Sequence, residues 1–330
     1  MRLKGIAEIG LVLLAGVCAC AQTPVLHEDA KLEGELQAIA AAHHGHLTVY
    51  AENLKTGAWA ALNADEAVKT ASTIKMGILL EAAEQVRAGK AQWDERLVLA
   101  KANQVEGSGV LGELTAPIAL TLRDVLTLMV VLSDNTATNV AIDRLGLERI
   151  NATMRAAGLK QTWLYKKVYV PATGPMPADQ PLFGLGKTTA REMAGIMERF
   201  VGCRLGLGAD DTVKPGDGQI CGVILGMLRN QQDRDSLPRY LETLDTSEQG
   251  SAIGNKTGAL NQVRNDVAVI ATKSGPVVIA GFTYGNEDQR WTGDNEAEKT
   301  LGRVGEAVVR AWSPEGLDAK GINWANPLEK

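Results

Sequence analysis

The chain has 330 residues, 45% of them hydrophobic, and a formal net charge of −5 at pH 7. This length suits one large soluble domain or two modest ones. The acidic balance and the lack of a basic tract argue against a nucleic-acid partner, because phosphate backbones are bound by clustered Lys and Arg. A small-molecule substrate is the expectation that remains.

The N-terminus has the pattern of a secretory signal peptide. Arg2 and Lys4 precede the apolar run IGLVLLAGV, which ends in the small residues CACA. Cleavage after these residues would remove residues 1–21 and export the mature protein to the periplasm or the medium. The apolar run is too short to span a membrane. Cys20 offers an alternative, in which the mature N-terminus carries a lipid anchor.

The rest of the chain changes its periodicity twice. Residues 28–42 predict an amphipathic helix, and HLTVYAENLKTGAWAALNAD predicts a β-hairpin around a Lys-Thr-Gly turn. From about 72 to 230 the apolar residues recur at helical spacing. Strand-like runs return in DVAVIAT and PVVIAGFTY, and a last helix follows in EAEKTLGRVGEAVVRAW.

This order of elements predicts an α/β (α+β) fold with two lobes. An antiparallel sheet is built from both chain ends and flanked by the terminal helices, with an all-α lobe inserted between. We predict one domain over residues 22–312, with the α/β lobe at about 25–68 and 245–312 and the all-α lobe at about 69–244. Residues 313–330 lack periodicity and are expected to form an exposed extension. A substrate cleft is expected at the seam of the lobes.

Two cysteines remain once the signal is removed, Cys203 and Cys221. In an oxidising compartment they could form a disulfide. Each also lies beside a predicted helix, so two separate buried thiols are the alternative. The sequence does not decide between these two states.

The positions of the histidines exclude one common catalytic device. All four precede the predicted hairpin or open it (His27, His43, His44 and His46). A Ser-His-Asp triad drawn from the rest of the chain is therefore impossible, and a His-rich zinc site is disfavoured. We predict no metal or cofactor. A serine nucleophile in the central lobe would need another base, and lysine is the main alternative.

A lysine with a serine three residues earlier stands in the apolar run ASTIKMGILL. Ser72 and Lys75 share a helix face at this spacing, so the amine can reach the hydroxyl. The start of a helix also favours a developing negative charge. A desolvated lysine close to another cation can lose its proton and act as a base. The pattern by itself also suits an ordinary snorkelling lysine.

Two further motifs follow in a fixed order. Ser133-Asp134-Asn135 ends an apolar helix, and Lys256-Thr257-Gly258 lies in a strand-like segment. A second Lys-Thr-Gly at residues 55–57 precedes Ser72 and suits an ordinary hairpin turn. The order S-x-x-K, S-D-N, K-T-G is the signature of active-site serine penicillin-recognising enzymes. The ordered triple is much more specific than any of its parts.

With these motifs the chain resembles the class A β-lactamases over roughly residues 30–312, including GSGVL and KTTAREMAGIM. The resemblance implies that Ser72 attacks the carbonyl of a β-lactam or an acyl-D-alanine peptide, with Lys75 as its base or proton relay. It implies that Ser133 passes a proton to the leaving nitrogen, with Lys256 beside it.

The same resemblance implies the residues that bind the substrate. Asn135 would hold the side-chain amide of the substrate, and Thr257, with Arg264 as a second candidate, would receive its carboxylate. The backbone N–H groups of Ser72 and Ala259 would form the oxyanion hole, with Gly258 between the two binding residues of the strand. Arg264 rests on a loose motif, and a surface arginine is the alternative.

One loop departs from the family pattern. Class A enzymes carry a glutamate there that activates the deacylating water. In residues 158–188 there is neither glutamate nor asparagine, and residues 167–169 (Lys, Val, Tyr) stand where the glutamate is expected. None of these three is an ordinary general base. Asp179, the single acid of the loop, or Glu106 could substitute, and otherwise both are ordinary solvated carboxylates.

The sequence therefore predicts acylation without the usual deacylation machinery. We expect a monomeric serine hydrolase of the class A β-lactamase type, acting through an acyl-enzyme on Ser72, with slow deacylation. One alternative is a D-alanyl-D-alanine carboxypeptidase or penicillin-binding protein that acts on peptidoglycan peptides. A second is a sensor that binds β-lactam or peptidoglycan without turnover.

Overall fold

A computed structural model describes residues 24–172, 174–207, 212–245 and 250–324. The helices are α1 Ala30–Ala41, α2 Lys75–Arg87, α3 Leu122–Val131, α4 Asn135–Leu145, α5 Leu147–Ala156, α6 Gln180–Phe183, α7 Ala190–Val201, α8 Asp217–Arg229 and α9 Glu296–Trp312. The strands are β1 His27–Glu28, β2 His46–Asn53, β3 Ala58–Leu62, β4 Val68–Lys69, β5 Arg96–Leu99, β6 Ile118–Thr121, β7 Trp163–Leu164, β8 Gly186–Thr188, β9 Ile253–Leu260, β10 Val263–Thr272 and β11 Gly275–Tyr284. Short 3-10 helices span Ala71–Ile74, Lys101–Asn103 and Ala319–Gly321.

The main sheet joins the two ends of the chain, as the sequence predicts. Its order is β1-β3-β2-β11-β10-β9, so strands from the N-terminal hairpin lie beside strands from the C-terminal third. All pairs are antiparallel except that of β1 with β3, where two residues run parallel. Strand β9 lies at the edge, which leaves one side of it open to the helical lobe.

The sheet divides two hydrophobic cores. Its outer face packs on α1 and α9, and its inner face packs on the helical lobe. Directly paired residues of an antiparallel sheet share a face. Lys256 pairs with Val267, which belongs to the inner core, whereas the neighbouring Ala268 belongs to the outer core. Lys256 therefore points inward, toward the helical lobe.

Helix α2 is the centre of that lobe. Ile78, Leu79 and Leu80 are fully buried, and α2 contacts α3, α4, α5, α7 and α8. Complete burial of each such side chain contributes about 1.5–3 kcal/mol. The lobe also holds two small sheets, β4-β8-β7 and β5-β6, which the prediction of an all-α lobe missed. Strands of two to four residues are too short to show a period of two.

Residues 313–324, the first part of the predicted exposed extension, are partly packed against the domain. Ser313, Ala319 and Ile322 are buried, and Leu317 forms a bridge to Thr272 at the end of β10. The segment packs through scattered apolar residues in a 3-10 turn, a pattern without the repeat by which a helix or strand is recognised. The predicted signal peptide, including Cys20, and residues 325–330 lie outside the described residues. Within the described ranges, no helix combines the length and apolarity needed to cross a membrane.

The two cysteines that the sequence left undecided form a disulfide. Cys203 follows α7 and Cys221 lies in α8, with their Cα atoms 5.7 Å apart. The bond therefore ties two helices of the lobe together across their connection.

Replacement of both cysteines by serine should lower the free energy of unfolding by about 3 kcal/mol, because the cross-link removes loop entropy from the unfolded chain. Urea denaturation of the oxidised protein and the double variant measures the difference. Wild-type protein reduced before unfolding is the matched control and should resemble the variant. Equal midpoints for all three samples would contradict the expectation.

Candidate active site

A cavity of about 1050 Å³ opens where the edge strand β9 meets the helical lobe. Its wall is formed by the 3-10 turn before α2, the residues before α4, the loop between α5 and β8, strand β9 and the connection from β11 to α9. The lining residues that matter below are Lys69, Ser72, Gly107, Ser133, Asn135, Lys166, Lys167, Val168, Tyr169, Asp233, Asp235, Thr257, Gly258, Ala259, Arg264, Trp291, Gly293 and Glu298. The cleft predicted at the seam of the lobes is present.

Ser72 lies in the 3-10 turn Ala71–Ile74, directly before α2. Strand β9 comes unusually close to this turn at Gly258. A Cβ atom on Gly258 would lie 2.9 Å from the backbone N of Ser72 and 2.9 Å from the carbonyl O of Thr70. Only glycine leaves room for this approach, so the third residue of Lys-Thr-Gly sets the distance between the strand and the serine.

Lys75 begins α2 and is fully buried. Its Nζ donates to the carbonyl O of Ser133 at 2.7 Å and to the Ser133 hydroxyl at 3.0 Å, and it lies 3.5 Å from Oδ1 of Asn135. Burial lowers the pKa of Lys75 well below its ordinary value, and the nearby charge of Lys256 lowers it further. Both effects favour the neutral amine that a base must be.

The hydroxyl of Ser133 is the meeting point of the two lysines. Its Oγ accepts from Lys75 at 3.0 Å and from Lys256 at 3.1 Å. A hydroxyl has two lone pairs and one proton, so a hydroxyl that accepts twice keeps its proton for a third partner. Burial lowers the pKa of Lys256 to about 8, while the charges of Asp233 and Asp266 act in the opposite direction.

Ser133 is held in a conformation that few residues adopt, with φ +54°. Such a backbone costs of the order of 1–3 kcal/mol and persists only when its surroundings enforce it. Asp134 supplies that support: one oxygen accepts from Ala137 N at 2.8 Å and caps α4, and the other accepts from Val110 N and Leu111 N at 2.6 and 2.8 Å. The central residue of S-D-N therefore braces the loop.

Asn135 connects the lysines to the loop before α3. Its backbone N–H donates to Ser108 O at 2.9 Å, and its side-chain amide donates to Glu106 O at 3.2 Å. Thr257 and Ala259 follow Lys256 along β9 and line the cavity. The three motifs thus meet at one cavity: Ser72, Ser133, Asn135 and Thr257 line it, and Lys75 and Lys256 reach it through the Ser133 hydroxyl.

A family model described as the β-lactamase enzyme family matches residues 31–312. The chain belongs to the β-lactamase enzyme family. A β-lactamase from Sphaerobacter thermophilus is 28% identical, with a TM-score of 0.72 over 86% of this chain and 97% of the other. No curated protein sequence matches the chain.

Two further solved structures share the fold. An acyl-enzyme complex of a PBP-A point mutant with penicillin G is 23% identical, with a TM-score of 0.70 over 87% of this chain and 98% of the other. A class A β-lactamase from Mycobacterium abscessus is 20% identical, with a TM-score of 0.68 over 85% of this chain and 98% of the other. The mixed α/β architecture of this β-lactamase family member is the same as theirs.

The loop that departs from the sequence pattern is nonetheless firmly attached to the site. Asn139 of α4 donates to Val168 O at 2.9 Å and accepts from Val168 N at 2.8 Å. Val168 and Tyr169 both line the cavity, and Lys167 forms an ion pair with Asp143 at 2.9 Å. The position expected to carry a glutamate is therefore fixed beside the cavity, with an apolar side chain.

Neither predicted substitute base stands at the cavity. Asp179 accepts from Lys187 at 2.6 Å and from Tyr165 at 2.8 Å, and these bonds, that of Lys187 first, lower the pKa of its carboxyl group. Glu106 is exposed and meets Asn135 only through its backbone carbonyl. In the described part of the chain, neither side chain belongs to the cavity wall. The structure does not support either residue as the deacylating base.

Arg264 lines the cavity, but its guanidinium is bound by the protein itself. It is buried and paired with Glu298 at 3.0 Å. It also donates to three backbone carbonyls: Leu260 O and Val263 O at 2.8 Å and Arg290 O at 2.7 Å. These contacts do not support the predicted role of Arg264 as a ligand of the substrate carboxylate.

Sequence reasoning missed several residues of the cavity wall. Lys69, Lys166, Asp233, Asp235 and Trp291 all line the cavity. None belongs to a spaced motif, so only the fold brings them together. Asp266, which is fully buried and pairs with Thr257 across β9 and β10, was also missed, and burial raises the pKa of its carboxyl group to about 7.

The rate of acylation should fall as the pH rises through about 8. Above this pH Lys256 loses its charge, and with it the electrostatic attraction for an anionic substrate. The second-order rate constant for benzylpenicillin acylation, measured at constant ionic strength, gives the profile. A Lys256→Gln variant is the matched control and should be slow without this decline. A wild-type rate that keeps rising to pH 9 would rule out charged Lys256 as the active form.

Proposed function

We propose that this protein is a serine hydrolase that opens β-lactam rings through an acyl-enzyme on Ser72, and that it hydrolyses this acyl-enzyme slowly. The observation that carries the proposal is the Ser133 hydroxyl, held by Lys75 and Lys256 at 3.0 and 3.1 Å at the edge of the cavity that contains Ser72. Two buried lysines on one hydroxyl are costly for a fold. Their arrangement suits a proton relay.

In the proposed acylation step, the Ser72 oxygen attacks the lactam carbonyl carbon while its proton passes to the neutral amine of Lys75. The carbonyl oxygen becomes an oxyanion, which the backbone N–H groups of Ser72 and Ala259 would stabilise. The C–N bond of the ring then breaks. Ser133 gives its proton to the leaving nitrogen and recovers one from Lys75, so the protons balance.

The substrate would be held by charge and by strand β9. Lys256 and Thr257 stand beside the leaving nitrogen, where a β-lactam carries its carboxylate. Asn135 stands on the other side, where the amide of the acyl side chain would lie. A single electropositive corner therefore suits both the negative substrate and the charge that develops on the carbonyl oxygen.

Slow deacylation follows from the missing base. Hydrolysis of the ester needs a water that is activated beside Ser72, and loss of a general base typically costs about 10²–10⁴ in rate. At the cavity the loop presents Val168, whose side chain accepts no proton, and Tyr169, whose hydroxyl is a weak base. The acyl-enzyme is therefore expected to accumulate.

Excess benzylpenicillin should give a covalent adduct on Ser72 that persists for minutes to hours. Intact-mass time courses of wild type and Ser72→Ala measure it, since the variant retains the cavity but lacks the nucleophile. Absence of an adduct on both proteins would remove Ser72 as a β-lactam-reactive nucleophile. An adduct that clears within seconds would show that another group activates the water.

A Val168→Glu substitution should speed the loss of the adduct by about a hundredfold, because it places a carboxylate on the loop that Asn139 fixes beside the cavity. Val168→Gln is the matched control: it has nearly the same shape but no base, and it should retain the slow rate. Both variants are compared by the decay of the benzylpenicillin adduct after excess drug is removed. Equal decay rates in the two variants would show that a carboxylate at position 168 does not activate the deacylating water.

A carboxypeptidase that acts on acyl-D-Ala-D-Ala peptides is the second candidate. The same missing base favours it, because such an enzyme is trapped by penicillin without needing to hydrolyse it fast. The fold shared with PBP-A and its penicillin G acyl-enzyme is consistent with this candidate. Release of D-alanine from a diacetyl-lysyl-D-Ala-D-Ala peptide by wild type, but not by Ser72→Ala, would favour it over the β-lactamase.

We also propose that the protein acts outside the cytoplasm. The signal-like residues 1–21 support export, and the Cys203–Cys221 disulfide suits an oxidising compartment. Cell fractionation with detection of the processed N-terminus distinguishes a cleaved soluble form from one that is anchored at Cys20.

A further inference from the structure

An exposed tryptophan stands at one side of the cavity mouth. Trp291 lies between β11 and α9, lines the cavity, and has 64% of its surface exposed. Leaving so large an aromatic side chain in water forgoes the stabilisation that burial would give. Tryptophan is enriched at binding interfaces, where a partner covers the apolar part of the ring.

The ring of Trp291 is held in place by Arg264. The guanidinium carbon lies 4.6 Å from the ring centroid. Arg264 in turn is 3% exposed and fixed by Glu298, by two carbonyls at the turn from β9 to β10, and by the carbonyl of Arg290, which precedes the tryptophan. One part of the ring is thus fixed against a rigid cation, and the exposed remainder faces the cavity mouth. The arginine is a positioning residue for the tryptophan.

The position of this ring relates it to one half of the substrate. Arg264 pairs with Ala259 across β9 and β10, and Gly293, two residues after the tryptophan, packs against the carboxylate of Asp235. Asp233, from the same segment as Asp235, acts electrostatically on Lys256. Trp291 therefore belongs to the side of Lys256, where the leaving nitrogen would depart.

The other end of the cavity belongs to different residues. A Cβ atom on Gly107 would lie 2.7 Å from the amide nitrogen of Asn135 and 3.0 Å from the ring of Tyr169. These three residues surround the place proposed for the acyl side chain. Tyr169, the other exposed aromatic side chain of the wall, therefore lies near Asn135.

We infer that Trp291 is a specificity-determining residue that binds flat, conjugated ring substituents on the leaving-group half of the substrate. The inference rests on the proposed acylation of Ser72 and names the substrate class that it favours. An offset stack of two rings contributes beyond the area it buries.

The test uses three cephalosporins that share the thienylacetamido acyl side chain. Cephalothin carries an acetoxymethyl leaving-group substituent, nitrocefin a dinitrostyryl ring and cephaloridine a pyridinium ring. Second-order acylation rate constants are measured on wild type and Trp291→Leu. Normalising each variant rate to the wild-type rate for the same compound removes the intrinsic reactivity of the drug.

Trp291→Leu should lower the rates for nitrocefin and cephaloridine by about three- to tenfold relative to that for cephalothin. Trp291→Phe, which keeps a ring, should restore part of the difference. Tyr240→Leu is the matched control, because Tyr240 is another partly exposed ring with an arginine over it, Arg239 at 5.7 Å, and it lies outside the cavity wall. Tyr240→Leu should leave the ratios of the three acylation rates unchanged.

The outcomes separate the inference from the function beneath it. If wild type forms the cephalothin adduct on Ser72 and Trp291→Leu lowers all three rates by the same factor, the inference is overturned and the acylation remains. If Tyr240→Leu shows the same selective loss of rate with nitrocefin and cephaloridine, the effect is not local to Trp291 and the inference is likewise overturned. If no compound acylates wild type, the proposed function fails together with the inference.

Discussion

The structure depends on two lysines that are buried against one serine hydroxyl. An ammonium group is expensive to remove from water, yet Lys75 and Lys256 come from separate elements and both donate to Ser133. Burial lowers the pKa of each. The left-handed backbone of Ser133, the capping and bracing by Asp134 and the close approach at Gly258 all serve to hold this arrangement. The fold thus tolerates the unfavourable burial of two amines, and this burial places proton-carrying groups where a substrate would lie.

The loop from α5 to β8 accounts for what the site lacks. The loop from α5 to β8 is tied to α4 by both bonds of Asn139, so its position beside the cavity is as firm as that of the motif residues. What differs is the side chain it presents. An anchored backbone with Val168 at the decisive place keeps the shape of the cavity but offers no proton acceptor for water. The backbone position of the loop is thus kept, while the proton acceptor that it would carry is absent.

Much of the site could be predicted because its motifs are local. Ser72 with Lys75, Ser133 with Asn135, and Lys256 with Thr257 each lie within a few residues, and their order along the chain predicted one cavity. The partners that a charged side chain finds in the fold are not given by a motif. Asp179 is bound by Tyr165 and Lys187, and Arg264 is bound by Glu298 and three carbonyls, so neither is available for the role that its sequence position suggested. The packed tail and Trp291 lack any periodic or spaced signal, and only the folded chain reveals their contacts.

The order of strands has a consequence for how the protein folds. Val49 of β2 pairs with Gly281 of β11, so the sheet closes only when the two ends of the chain meet. Pairings so distant in sequence must first overcome a large loop-closure entropy, and they are associated with slow folding. Within the inserted lobe, α4 contacts α3 and α5, its neighbours in sequence, so this part can form earlier. Strand β9, which brings Lys256 to Ser133, would then take its place late, and the Ser133 hydroxyl would gain its second lysine only when nearly the whole chain is in position.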